Sequence, residues 1–283
     1  MAGQTPEVVT ALAEDAAPVK YSVDRFGYKI DGRDYRRVTT LLKGIPAPQL
    51  VGWAAKVVAE TAARSQDWRT LSPLDAEKLL KGRPNTIRDE RAQRGTNVHN
   101  AVEAYLKGGE APKLNDDEES CVAAARKFLA ARTSVILGAE ISVYSEKHGY
   151  AGTFDLWDFH EGRFNLLDWK TSSGVYPSHA IQQVAYQKAD YALVQRRQVS
   201  EFAWTAKKIP WGGLAERLNV VHLEAGVATL YPILPDICDR LWDVFLCASY
   251  MKDFLLATDT SWGRKSREKI FGTSIPTTIN TEV

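Results

Sequence analysis

"LLDWKTSSG" (residues 166–174) decides how this chain is read. Leu166, Leu167 and Trp169 mark a buried strand, yet Asp168 and Lys170 fall inside it, two residues apart. Side chains at i and i+2 of a strand share a face, so an acid and a base lie side by side on a predicted core element. Burying both is costly unless partners offset the loss of hydration. The pair is therefore either a structural ion pair or half of an active site.

The residues just upstream bear on that choice. In "GTFDLWDFHEGRFNLLDWKTS" (152–172) a two-residue turn at Glu161–Gly162 sets His160 opposite Arg163. Counting back along both strands sets Asp155 opposite Asp168 and Thr153 opposite Lys170. A three-residue loop with Gly162 in the left-handed region would slip this register by one. Opposed Cβ atoms lie about 4.5–5.5 Å apart. Two carboxylates that close repel unless a cation lies between them or one is protonated. A Mg²⁺ ion, with oxygen ligands at about 2.0–2.1 Å, fits between such a pair.

The wider sequence sets the frame. The chain has 283 residues, 45% hydrophobic and 25% charged, an ordinary composition for a soluble globular protein. A formal net charge of +1 announces no bulk attraction to nucleic acid, though it says nothing about a local groove. Cys121, Cys238 and Cys247 are odd in number and lack C-x-x-C spacing, which argues against a disulfide framework or a four-cysteine metal site and points to a cytoplasmic chain. No apolar run approaches the roughly 20 residues that span a bilayer, so no membrane partner is expected. "MAGQTPEVVTALAEDAAPVK" (1–20) lacks the order of a signal peptide and reads as a flexible lead-in or a short helix.

Periodicity predicts a β-hairpin over 21–38 around "IDGR", then a helix in "PQLVGWAAKVVAETAAR" starting near Pro48. A further helix runs from the Ser72 cap to a stop at Gly82, and one or two more lie in 86–109. "DDEESCVAAARKFLAAR" adds another, with acids in its first turn as the helix dipole favours. Three strands follow in 139–171, then a helix over 178–195, the strands "EFAWTAKKI" and "LNVVHLE", and a helical tail from Tyr231 that loosens after about residue 262. This order predicts a mixed α/β fold.

With these elements placed, "GTFD" and "DWKTS" resemble the active-site signature of the PD-(D/E)XK nuclease superfamily. "RGTNVHNAVEAYL" (94–106) resembles the histidine helix of its RecB-like branch, and "QQVAY" (182–186) that branch's Q-x-x-x-Y helix. "GAEISVYSEKHGYAGTFD" resembles the strand and turn before the first aspartate. The N-terminal "RRVTTLLKGIP" and "LVGWAAKVVAE" resemble phage-encoded, CRISPR-associated-type exonucleases. The resemblance implies a restriction-endonuclease-like α/β fold: a mixed β-sheet core flanked by helices, with helical N- and C-terminal additions. The expected divisions are a lead-in (1–20), an N-terminal hairpin and helical region (21–94), a nuclease core (95–225), and a C-terminal helical region and tail (226–283).

Residue by residue, the resemblance implies that Asp155 and Asp168 ligate Mg²⁺ or Mn²⁺, with His99 and the backbone carbonyl of Trp169 as further ligands. Glu140 would bind a second metal or support the site. Lys170 would orient or deprotonate the attacking water and stabilise the transition state. Gln182 and Tyr186 would contact the DNA backbone. Arg88, Arg91 and Arg94, at spacings of three, are expected on a phosphate-facing helix side; a solvated charged face is nearly as good a reading. Many relatives carry four cysteines on an iron–sulfur cluster; this chain does not match them, so no cluster is expected.

Other residues read blandly. Asp158 is expected exposed on the opposite sheet face. Glu103, one turn from His99, is a solvated helix acid. The functional expectation is a metal-dependent DNA exonuclease of phage or bacterial recombination, repair or replication, with DNA and a recombination or annealing protein as partners. A nuclease-fold protein that binds DNA or a partner without cutting is the alternative. A metal-free two-carboxylate hydrolase is disfavoured, because an ammonium beside Asp168 would lower the pKa that such an acid needs raised.

Overall fold

A computed structural model describes residues 6–200 and 203–257. Helix α1 (Pro6–Glu14) leads into a three-stranded meander, β1 (Pro18–Val23), β2 (Gly27–Ile30) and β3 (Arg33–Arg37). At the "IDGR" turn Asp31 and Gly32 both take positive φ, 45° and 83°, as a tight two-residue hairpin turn requires. A short α2 (Val38–Leu41) precedes α3 (Gln49–Arg64), and α4 (Pro73–Lys107) follows. The Ser72 hydroxyl caps α4 by accepting from the Asp75 amide, and Gly108 closes it at φ 68°. The stop expected at Gly82 does not occur: Gly82 and Pro84 both lie inside one 35-residue helix. Helix α5 (Asp116–Ala131) starts on a reciprocal cap between Asn115 and Glu118.

The remaining elements are β4 (Val135–Ser145), β5 (Tyr150–His160), β6 (Arg163–Lys170), α6 (Pro177–Gln187), β7 (Tyr191–Ser200), β8 (Ala203–Pro210), β9 (Arg217–Glu224), β10 (Val227–Pro232) and α7 (Cys238–Ala257). The helix expected over 178–195 is half strand: α6 ends at Gln187, and "YALVQRRQVS" pairs with both β4 and β8. The expected helical tail begins only at Cys238, after an unanticipated β10. The loosening expected after residue 262 lies outside the described residues.

The expected restriction-endonuclease-like sheet is not what the strands build. The order β5–β3–β2–β1–β8–β7–β4 closes on itself through β4–β5 pairing, giving a seven-stranded barrel, with β6, β9 and β10 added from β5 outward. Closure comes from the N-terminal meander. β3 pairs in parallel with the start of β5 at Arg36↔Tyr150 and Arg37↔Ala151, while β1 pairs with β8. These contacts join residues more than a hundred positions apart, which periodicity within one segment does not report.

Three cores follow. Each barrel strand sends a side chain inward, including Tyr21, Tyr28, Tyr35, Tyr144, Ala151, Leu193 and Ala206. A second core, including Val143, Tyr150, Phe154, Trp157 and Trp211, packs under α6 and α7. A third joins Val98, Ala101 and Val102 of α4 and Cys121 and Ala125 of α5 to Leu156, Leu167 and Trp169. Aromatic rings dominate the second: Trp157 meets Trp211 edge-on at 5.0 Å, and Phe154 stacks on Trp211 at 5.3 Å.

Asp158, expected exposed, is fully buried. Its carboxylate accepts from Arg132 Nε at 2.6 Å and from Nη2 at 3.3 Å, which pins the end of α5 to β5. Removing one partner of such a pair leaves a buried charge, at a cost of about 3–5 kcal/mol. Asp158→Ala is expected to lower the unfolding free energy by about that much in urea denaturation, and Asp158→Leu combined with Arg132→Met by much less. A loss under about 1 kcal/mol for the single variant would mean the pair contributes no more than a surface bridge.

Candidate metal centre

The β5–β6 hairpin has the register counted from the sequence. Glu161 and Gly162 form the turn at φ 51° and 72°, and pairs run from His160↔Arg163 to Leu156↔Leu167. The next pair would be Asp155 with Asp168, and there the ladder stops. Asp155 Oδ2 instead accepts the Trp169 amide at 2.6 Å, so a side chain replaces the missing strand bond. Thr153, expected opposite Lys170, is bonded to Tyr28 Oη at 2.8 Å and Ser142 Oγ at 3.0 Å.

The chain changes phase at this point. Phe154 packs in the core under α6, whereas Leu156, two residues on, packs against α4 and α5. In a regular strand these two would share a face. Across the β4–β5 pairing, Glu140 lies opposite Asp155, between Ala139↔Leu156 and Ile141↔Phe154. Glu140 takes φ 55°, a left-handed conformation costing about 1–2 kcal/mol for a residue with a Cβ. Such local strain concentrates where a structure holds a functional group in place.

Helix α4 completes the cluster. Val98, Ala101 and Val102 are fully buried and fix its rotation, which turns His99 toward β5. His99 Nδ1 lies 3.2 Å from Asp155 Oδ1. His99, Glu140 and Asp155 each offer a ligand atom within 4.8 Å of the others. One imidazole nitrogen and two carboxylates suit Mg²⁺ or Mn²⁺ on the oxygen side and Mn²⁺ or Zn²⁺ on the nitrogen side. Asp168, almost fully buried, pairs with Lys170 beside this cluster.

The electrostatics fit a cation. Burial, then the carboxylates of Asp155 and Glu103, lift the Glu140 pKa to about 8. Burial opposes a charged imidazole at His99, but the Asp155 carboxylate outweighs it and raises the pKa to about 9. Burial would also raise Asp155, yet His99 and Lys170 hold it below the usual carboxylate range. Asp168 rises to about 6: burial exceeds the opposing pull of Lys170, and Asp155 adds to the rise. Burial is the largest cause of the rise at Glu140 and Asp168, and the Asp155 carboxylate adds to both; a bound divalent ion would favour the charged forms.

No protein-family model and no curated protein matches this chain. Gln182 donates to Tyr186 Oη at 2.7 Å, and both are buried in α6 behind the carboxylates. The three arginines are not brought together. Arg88 and Arg91 stay exposed on α4, Arg91 over the Trp53 ring, whereas Arg94 turns inward. Arg94 donates to the Thr171 carbonyl at 2.8 Å and pairs with Asp117. His222 Nε2 lies 2.6 Å from the Ser172 carbonyl, so two side chains hold the carbonyls of the two residues after Lys170.

Sequence reasoning missed His222, and Arg196, which pairs with Glu103 at 3.0 Å. Glu103, read as solvated, is thereby tied to the cluster. No local signal marks these residues, because strand pairing alone brings them in. Among the described residues no helix is long and apolar enough to cross a membrane.

Tyr186 can lie against β5 only because residue 152 is glycine: a Cβ there would sit 2.3 Å from Tyr186 Cε1. With Tyr186 buried, Gly152→Ala is expected to destabilise the protein by about 1–3 kcal/mol, measured by thermal or urea denaturation. Combining it with Tyr186→Leu should cost less than the two changes summed. Strict additivity would show that the ring does not occupy that space.

Proposed function

We propose that this chain is a metal-dependent deoxyribonuclease, acting from DNA ends and using Mg²⁺ or Mn²⁺. The observation that carries the reading is the convergence of His99, Glu140 and Asp155 within 4.8 Å, with the Asp168–Lys170 pair beside them. The resemblance of the same residues to the RecB-like PD-(D/E)XK signature supports it. The support is local to the site and does not use the overall fold.

When bound by His99, Glu140, Asp155 and Asp168, with the Trp169 carbonyl as a further candidate, a divalent cation supplies a lowered water pKa and charge neutralisation at the phosphate. The chain's residues do the rest. The Trp169 amide fixes the rotamer of Asp155, so the ligand set is preorganised. Asp168 holds the Lys170 ammonium at the edge of the cluster, where it donates to the attacking water or to a non-bridging phosphate oxygen. Burial lowers the Lys170 pKa, but Asp168 and Asp155 raise it further, so the side chain acts here as a charged donor. In the net step a water oxygen bonds to phosphorus, the bond to the leaving sugar oxygen breaks, and that oxygen takes a proton.

Purified protein is expected to degrade linear DNA with Mn²⁺ or Mg²⁺ and to be inert in EDTA. Lys170→Ala should lower kcat by about 10²–10³-fold or more, and Asp155→Ala should abolish both turnover and Mn²⁺ binding. Undiminished hydrolysis in EDTA, or wild-type rates in both variants, would falsify the proposal.

A further inference from the structure

The nuclease reading uses one cation of the chain at the metal cluster, Lys170. A second, Arg196, is placed there by a defect in β7. Regular pairing with β8 runs to Val194↔Lys207 and resumes at Arg197↔Thr205, so Gln195 and Arg196 together face Ala206. Gln195 takes φ 50°, the left-handed residue of a bulge. In an unbroken strand Arg196 would share a face with Val194, which packs in the core under the helices. The extra residue turns it instead to the side of Ala206, a barrel-lining residue.

Arg196 thus meets a side chain of α4. Its Nη2 bonds Glu103 Oε1 at 3.0 Å, and it lies close enough to Glu140 and Tyr21 to bias their ionisation. Its side chain keeps 27% of its exposure, so it can reach a ligand. Neutralising Glu103 does not account for it, because Lys107, one turn along α4, already pairs with that carboxylate. Lys170 pairs with Asp168 and acts on Asp155, whereas Arg196 pairs with Glu103 and acts on Glu140, the residue opposite Asp155 across β4–β5. A bidentate, permanently charged fork at that place has the chemistry of a phosphate clamp.

We propose that Arg196 receives the phosphate flanking the scissile one in a DNA strand bound across the metal cluster. This assignment rests on the nuclease reading and extends it to a strand with phosphates on both sides of the cut. Lys170 serves the phosphate being cleaved; Arg196 fixes the neighbour and so sets the register of the strand.

The test is equilibrium binding of a fluorescein-labelled single-stranded 20-mer in Ca²⁺ buffer, across a salt series, to the wild type, Arg196→Lys and Arg196→Met. Loss of one phosphate contact on a single strand lowers the slope of log K against log salt by about 0.7. Arg196→Met should show that change with about tenfold weaker binding, while Arg196→Lys keeps the slope. An arm that needs no variant scans one neutral methylphosphonate along the 20-mer: wild type should lose about tenfold at one position. Unchanged slope in Arg196→Met, or a flat scan, overturns the assignment, as does a wild type that does not bind the 20-mer. Cleavage of the unmodified 20-mer with Mn²⁺ is scored separately. Arg196-dependent binding without cleavage refutes the nuclease reading and leaves the clamp standing; cleavage with unchanged slope and a flat scan refutes the clamp alone.

Discussion

The Trp169 amide is caught by the Asp155 carboxylate, 2.6 Å away, where a regular hairpin would offer a backbone carbonyl. Much of the site follows from that substitution. β5 belongs to the barrel over Tyr150 and Ala151, where β3 flanks it, and to the outer sheet from Leu156 onward, where β6 flanks it. Between these two pairings one side of β5 has no strand partner among the described residues. The gap would expose unpaired backbone to the interior, at a real cost. The Asp155 carboxylate satisfies the Trp169 amide on the β6 side of the gap, and the Tyr186 ring lies against β5 at Gly152. The seam between barrel and sheet is thus also the place where charged side chains gather.

That gathering is unfavourable by itself. Asp155, Asp168 and Glu140 are held together in a largely desolvated space with His99, Lys170 and Arg196 among the nearby bases. Structural ion pairs elsewhere in the chain look different: Asp158 and Arg132 match one acid to one base with two hydrogen bonds. At the seam burial raises Glu140 and Asp168 above their ordinary range, and the neighbouring Asp155 carboxylate adds to the rise. Strain at Glu140 and at Gln195 adds to the cost. The proposed divalent cation would offset that cost, and the one imidazole and the carboxylates around it are donors such an ion takes.

The sequence gives this site away in part. The β5–β6 turn at Glu161–Gly162 follows from residue type, and its register carries Asp155 to the end of Asp168's strand. His99 reads alone as a polar residue of an amphipathic helix, and only the resemblance singles it out as a ligand. Glu140 could be placed only by resemblance, because its left-handed turn has no composition signature. The barrel was not legible. It depends on β1 meeting β8 and β3 meeting β5, pairings that join segments each looking complete alone. β7 was hidden because "YALVQRRQ" carries apolar residues that also suit a helix, and tertiary pairing overrides that preference. Arg196 was invisible for the same reason: its direction is set by a bulge. Asp158 was misplaced because strict alternation assumes sheet faces that meet water, whereas α5 covers that face.

The central claim is that the seam at Asp155 is a metal site. Crystals soaked in MnCl₂ and recorded near the manganese absorption edge test it most directly. The account predicts an anomalous peak bonded to His99, Glu140 and Asp155, lost in Asp155→Ala. A peak elsewhere, or no peak at the seam with Asp155 still bonded to Trp169 and His99, would contradict it.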